Sequence, residues 1–259
     1  AYPGKALGKG GMGSVYRSAY YDRATGELKY DAIKKPHWNK ATQFNEEKEG
    51  AKEIKDWNDP YMNKAKHIGG PGQDFIIYES GENVKGLGAE FAKTSPKQAI
   101  SRLIELVQGL KTYRQNNAGH FDIKEGDVAG DNANVLVIDD PDHPGQRKTM
   151  IIDNTPNRAG VFGTGKIAAT ARYTPLAVPK DAMKIVRNPS VYIHSMDPYA
   201  LSPIIDAMMT NNSDKAAFAP VKSRLSHLAA ESRNLEATKE ASYYDSVISE
   251  LQSIQGQLP

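Results

Sequence analysis

Apolar residues follow two rhythms along this chain, and the change between them divides it. Up to about residue 92 the runs are short. Val15-Tyr16 and Tyr20-Tyr21 precede a polar stretch, Asp22 to Glu27, and Lys29 to Lys34 form the next run. That is the pattern of two strands joined by a turn. Asp74–Tyr78 and Leu87–Ala92 predict two further strands. One helix interrupts them over 41–57, where Phe44, Ala51, Ile54 and Trp57 recur at helical spacing among charged residues. Asp59-Pro60 and Gly69-Gly70-Pro71-Gly72 punctuate this half.

After residue 95 the period lengthens. Ser95 supplies an N-cap and Pro96 a first-turn proline, and Ile100, Leu103, Ile104, Leu106, Val107 and Leu110 line one helix face. Residues 117–134 are rich in Gly, Asp and Asn and read as a loop. Val135–Ile138 and Met150–Ile152 predict short strands joined by a long turn. Residues 154–192 read as mostly irregular. Helices follow over about 196–210, 216–235 and 242–255. Strands first and helices afterwards predict an α+β protein with two lobes, a small β-rich lobe over 1–92 and a helical lobe over 93–259.

Composition narrows the classes. A chain of 259 residues suits one large domain or two packed lobes. With 33 Lys and Arg against 31 Asp and Glu the net charge is +2, so charge gives no reason to expect nucleic acid or a membrane surface. The absence of cysteine excludes a disulfide framework, a Cys-based zinc site and a thiol nucleophile. No stretch approaches 18 apolar residues, so no membrane span is expected. The six histidines show no metal-ligand spacing. The start lacks the marks of a signal peptide and lies close to the first motif, so residues upstream are expected to be missing.

Leu7-Gly8-Lys9-Gly10-Gly11-Met12-Gly13-Ser14-Val15 contains G-x-G-x-x-G-x-V. Strand-like residues on both sides distinguish it from a dinucleotide fingerprint, which opens a helix. No Gly-Lys-Ser/Thr follows, so it is not a P-loop. A glycine loop between strands lets backbone amides approach phosphates. Asp31-Ala32-Ile33-Lys34 lies in the next strand. In this order the two resemble the glycine-rich loop and V-A-I-K strand of protein kinases.

The resemblance implies that Gly8, Gly10, Gly13 and Val15 cover ATP while Lys34 holds its α- and β-phosphates. Such a lysine needs a carboxylate on the following helix. Phe44-x-x-Glu47 resembles the family pattern and favours Glu47, with Glu46, Glu49 and Glu53 as alternatives. Ala89-Glu90-Phe91-Ala92 stands at the expected hinge, where the backbone of Glu90 and Ala92 would meet adenine.

Asp127-Val128-Ala129-Gly130-Asp131-Asn132 looks like the catalytic loop D-x-x-x-x-N. Asp127 would accept the proton of the substrate hydroxyl and Asn132 would bind magnesium, with Asn134 an alternative ligand. A second register stays open. His120-Phe121-Asp122-Ile123-Lys124 looks like H-R-D-L-K, with Asp122 as base. It leaves a long insertion before the strand, so Asp127 is the preferred base. Asp153 resembles the metal-binding Asp of D-F-G, with Asn154-Thr155 in place of Phe-Gly. Thr170 to Pro179 resembles the end of an activation segment, with Lys180 replacing its final glutamate. Ser195 to Leu201 resembles a lower-lobe helix in which Asp197 would hold the catalytic-loop backbone.

The resemblance covers about residues 5–210. It implies a compact two-lobed kinase with ATP and Mg2+ as cofactors, transferring the γ-phosphoryl group to Ser, Thr or Tyr of a protein substrate. The altered motifs are similar to those of bacterial effector kinases, so a host protein and a host-cell cytosol are expected. Two other classes stay open. A small-molecule phosphotransferase of the aminoglycoside or choline type is opposed by the activation-segment pattern. A nucleotide-binding pseudokinase scaffold is opposed by the retained Lys34 and Asp153. Oligomeric state is left open.

Overall fold

The computed structural model describes residues 6–9, 13–81, 83–140, 143–163, 167 and 169–259. The architecture is α+β, and the chain divides into two units. The first comprises Ala1–Val84, Ile138–Lys148 and Ile152–Thr155, and the second Lys85–Val137, Thr149–Ile151 and Pro156–Pro259.

In the first unit, β1 (Ala6–Lys9), β2 (Gly13–Tyr21) and β3 (Leu28–Pro36) precede α1 (Ala41–Lys55), β4 (Ala65–Ile68) and β5 (Ile76–Ser80). The strands form one antiparallel sheet in the order β1-β2-β3-β5-β4. The expected hairpin is β2–β3, with Val15 opposite Lys34 and Ala32 opposite Arg17. Phe44 and Ala51 of α1 cluster with Ala65, Ile76 and Tyr78. The short edge strand β4 had no sequence signal, because Ala-Lys-His-Ile is too short and polar to show a period of two.

The second unit begins with β6 (Lys85–Gly86), α2 (Leu87–Phe91) and α3 (Pro96–Gln115). Leu87–Ala92 was expected as a strand; Leu87–Phe91 is instead a helix, buried at every position. A short apolar run has no period to separate the two. Gly88 serves close packing here: a Cβ would sit 2.5 Å from the Gly126 carbonyl. α3 starts as expected, with a capping box between Ser95 and Gln98. β7 (Val135–Asp139) and β8 (Arg147–Ile151) follow along the chain, with Val135–Val137 and Thr149–Ile151 in this unit, and the sheet order is β6-β7-β8.

The remaining helices are α4 (Pro179–Arg187), α5 (Pro189–Tyr192), α6 (Met196–Asn211), α7 (Lys222–Glu231), α8 (Leu235–Thr238) and α9 (Tyr243–Gly256). The last three expected helices correspond to α6, to α7 with a preceding 3-10 turn, and to α9. α4 lies in a stretch expected to be irregular. Only Ile185 of its nine residues is buried. No helix among the described residues is long and apolar enough to cross a membrane.

Candidate active site

Two clusters hold most of the singled-out residues, one in each unit. In the first unit, β3 presents Lys34, which is 7% exposed. Its ammonium lies 2.6 Å from a carboxylate oxygen of Glu47 and 2.6 Å from one of Asp153. α1 supplies Glu47 on its buried face, while Glu46 and Glu49 are exposed and Glu53 is half-buried. Burial pulls Lys34 down, but the charges of Asp153 and Glu47 more than offset it, so its pKa is raised. Burial raises Glu47 against the pull of Lys34.

Asp153 stands two residues past β8 in a left-handed backbone conformation, φ 58°. Its side chain is 47% exposed, against 7% for Glu47. Asn154, in the place of the family phenylalanine, is buried and donates its amide to the Asn63 carbonyl at 3.1 Å. Tyr78 had no sequence signal. It pairs opposite Ala32, is buried, and its hydroxyl is held above its ordinary pKa by burial and by the charges of Glu47 and Asp153.

The glycine loop is described at Gly8, Gly13 and Val15; Gly10 lies outside the described residues. Val15 lies directly opposite Lys34, so both side chains share one sheet face. A Cβ on Gly8 would meet nothing within 4 Å. On Gly13 it would lie 2.1 Å from the Lys35 carbonyl. Gly13 is therefore required by the approach of β3, whatever else the loop does.

In the second unit the loop after α3 is tied down at both ends. Gly119 exchanges backbone hydrogen bonds with Asn157 at 2.9 and 2.8 Å. The Asp197 carboxylate, from the first turn of α6, accepts the N–H groups of His120 at 2.8 Å and Phe121 at 2.7 Å. Burial raises the Asp197 carboxyl above its ordinary value, against the pull of His120 and these donors. Phe121 is left-handed at φ 72°. Strain of that kind costs about 1–3 kcal/mol, and charge-assisted hydrogen bonds of about 1.5–3 kcal/mol each offset it.

The clamp delivers Asp122 to a network. Its Oδ1 accepts from Thr170 Oγ1 at 2.7 Å. Its Oδ2 accepts from Lys124 Nζ at 3.0 Å and Asn134 Nδ2 at 2.8 Å. Asn134 also donates to the Asp122 carbonyl at 2.8 Å, so its amide nitrogen is committed to Asp122. Lys124 and Asn134 are joined again by backbone, Asn134 N–H to Lys124 C=O at 3.0 Å. That bond pinches residues 125–133 off as an excursion.

Asp127 opens a turn within the excursion and is exposed. Its Oδ1 accepts the N–H groups of Ala129, Gly130 and Asp131 at 2.9, 2.9 and 3.0 Å, the bonding of a turn-forming aspartate. Asn132 is exposed and left-handed, φ 58°. No hydrogen bond joins Asp127 to Asn132 among the described residues, although both line an open cavity of about 350 Å³ with Lys124, Thr170 and Arg172. Glu125 lies beneath, held above its ordinary pKa by burial against the pull of Tyr173 and Arg172.

Glu90 lies inside α2 and Ala92 caps it. Glu90 is 3% exposed, and its carbonyl accepts the N–H groups of Lys93 and Thr94. A buried helical turn replaces the extended hinge expected there. Among the described residues no group of three or more His, Cys, Asp or Glu side chains is placed to hold a metal ion. No protein-family model and no curated protein matches the chain.

Proposed function

We propose that this chain is a compact eukaryotic-like protein kinase that transfers the γ-phosphoryl group of ATP to a hydroxyl of a protein substrate. The observation that carries the reading is the Asp122 network. Asp197 accepts the N–H groups of His120 and Phe121, directly before Asp122, which supports reading it in the backbone-holding role that the family resemblance gives it. This moves the proposed base from Asp127 to Asp122 and the amide partner from Asn132 to Asn134. Asp122 would accept the hydroxyl proton, with Thr170 and Lys124 fixing its carboxylate. Lys34, positioned by Glu47, would hold the phosphates, and Glu90 and Ala92 are left out of nucleotide binding.

Magnesium in such reactions is held by a few protein oxygens and the nucleotide phosphates, not by an all-protein cage. The lack of a three-acid cluster therefore does not conflict with the reading. Asp153 offers a half-exposed carboxylate in one unit. Asn134 offers its amide oxygen in the other, its nitrogen being committed to Asp122. The bound metal would neutralise charge developing on the transferred phosphoryl group. The expectation of a bacterial effector acting on a host protein belongs to the same proposal and rests on the altered D-F-G and A-P-E positions.

The test is transfer of label from γ-labelled ATP with magnesium, offered a protein extract in one arm and aminoglycosides and choline in another. Label in protein that disappears in Asp122→Asn supports the reading. Label only in the small alcohols establishes the phosphotransferase class instead. No transfer in either arm, with ATP-dependent thermal stabilisation retained, leaves the scaffold.

A further inference from the structure

α4 is anchored on one side and bare on the other. Ile185 is fully buried in a cluster with Phe121, Ile193, Met196 and Leu235. Lys184 pairs with Glu236 of α8 at 3.2 Å. The opposite side carries Met183 at 55% and Val186 at 59% exposure, with Val178 and Val191 exposed just before and after the helix. Among the described residues these are four of the five exposed large hydrophobic residues of the second unit, Val128 being the fifth. Scattered singly they would need no explanation; with two on α4, one at its N-cap and one on the adjoining α5, they mark a contact surface. At 100° per residue, Lys180 and Arg187 both lie along one edge of the Met183–Val186 strip, on the Met183 side, exposed and without an ion-pair partner among the described residues.

We propose that this face docks an apolar segment of a partner protein flanked by Asp or Glu. The apolar strip supplies burial, and the two cations supply the sign of the partner's charge. A second copy of the chain fits poorly. A two-fold contact through this strip would set Lys180 and Arg187 of one copy against the same cations of the other. A lipid surface fits poorly as well, because the strip has no exposed Trp, Tyr or Phe and only two cations to attract anionic lipid. The surface is built on a fixed platform: Ile185 packs in the cluster that holds Phe121, beside Asp122. The proposal concerns binding and stands whether or not the chain transfers phosphate.

The experiment pans a library of short random peptides on the immobilised full chain, then measures the enriched peptides in solution. Enriched sequences with apolar residues flanked by Asp or Glu are expected. Their affinity should fall about tenfold or more in Met183→Glu/Val186→Glu, as for loss of central contact residues. Lys180→Glu/Arg187→Glu should reverse the charge preference. Should the glutamate pair unfold the chain by circular dichroism, Met183→Ala/Val186→Ala carries the test. Three results overturn the proposal: no enrichment that depends on these residues, self-association abolished by the same variants, or sedimentation with phosphatidylserine vesicles lost in the charge swap.

Discussion

Between Gly119 and Lys124, beside local bonds such as Lys124 to Asp122, hydrogen bonds run to distant parts of the second unit: Asn157, Asp197, Thr170 and Asn134. Between Glu125 and Ala133 the bonds of Asp127 are local, to N–H groups two to four residues on. Each stretch offers an aspartate in an Asx-rich loop. The first aspartate is fixed relative to the fold by long-range bonds; the second is fixed only relative to its own turn. Chemistry that depends on placement within a fraction of an ångström needs the first kind of support.

Breaking the contrast at its centre should give the largest effect. Asp122→Asn should lower phosphoryl transfer by about 10²–10⁴-fold, the range for loss of a general base. Asp127→Asn should change it by less than about threefold, as for an exposed surface substitution. Comparable losses in both variants would erase the distinction. The same contrast exists in the first unit. Lys34→Met leaves Glu47 buried without its cation and should cost about 3 kcal/mol in denaturant unfolding. Lys52→Met removes only the exposed pair with Glu49 and should cost less than about 0.5 kcal/mol.

Asp197→Ala strips the acceptor from two backbone N–H groups and should destabilise by about 2 kcal/mol or more. It should also lower transfer, by releasing Phe121 and Asp122; unchanged transfer would remove the clamp from the argument. Asn132→Gly relieves a left-handed residue in the excursion and should stabilise by up to about 1 kcal/mol with transfer unaltered. A fall in activity there would return Asn132 to the site.

The smallest effect is one of pH. Glu236, which holds α4 and α5 through Lys184 and Tyr192, is lowered from 4.5 to about 2 by hydrogen bonds from Lys239, Tyr192 and Lys184. A carboxylate lowered in the folded state stabilises above its unfolded value and loses that contribution as pH falls. Wild type should therefore lose thermal stability between pH 4.5 and 2, and Glu236→Gln should lose less. Parallel curves would show that Glu236 contributes nothing to the platform.

Much of the fold was legible in one dimension. The β2–β3 hairpin followed from the strand runs on either side of the Asp22–Glu27 turn, and α3 from Ser95-Pro96 and its apolar stripe, because these signals are local. Leu87–Phe91 misled because burial on all sides erases periodicity. α4 was missed because only Ile185 faces inward.

The candidate site divides the same way. The sequence by itself determined which residue types were present and in what order: a glycine loop, Lys34, two aspartates in the 120–134 loop, Asp153 and Asp197. Spacing then favoured Asp127 with Asn132, five residues apart. Only the tertiary structure decided that Asp122 and Asn134 are joined across an excursion closed by the Asn134–Lys124 backbone bond. Glu47, favoured by the Phe44-x-x-Glu47 pattern, is the one of the four glutamates on the buried face of α1 and pairs with Lys34. The physical reason is that spacing along a chain records separation in sequence, while an inserted loop can return to its start. Which carboxylate is held, and which merely turns, depends on donors from Asn134, Thr170 and the loop's own backbone that no local pattern contains.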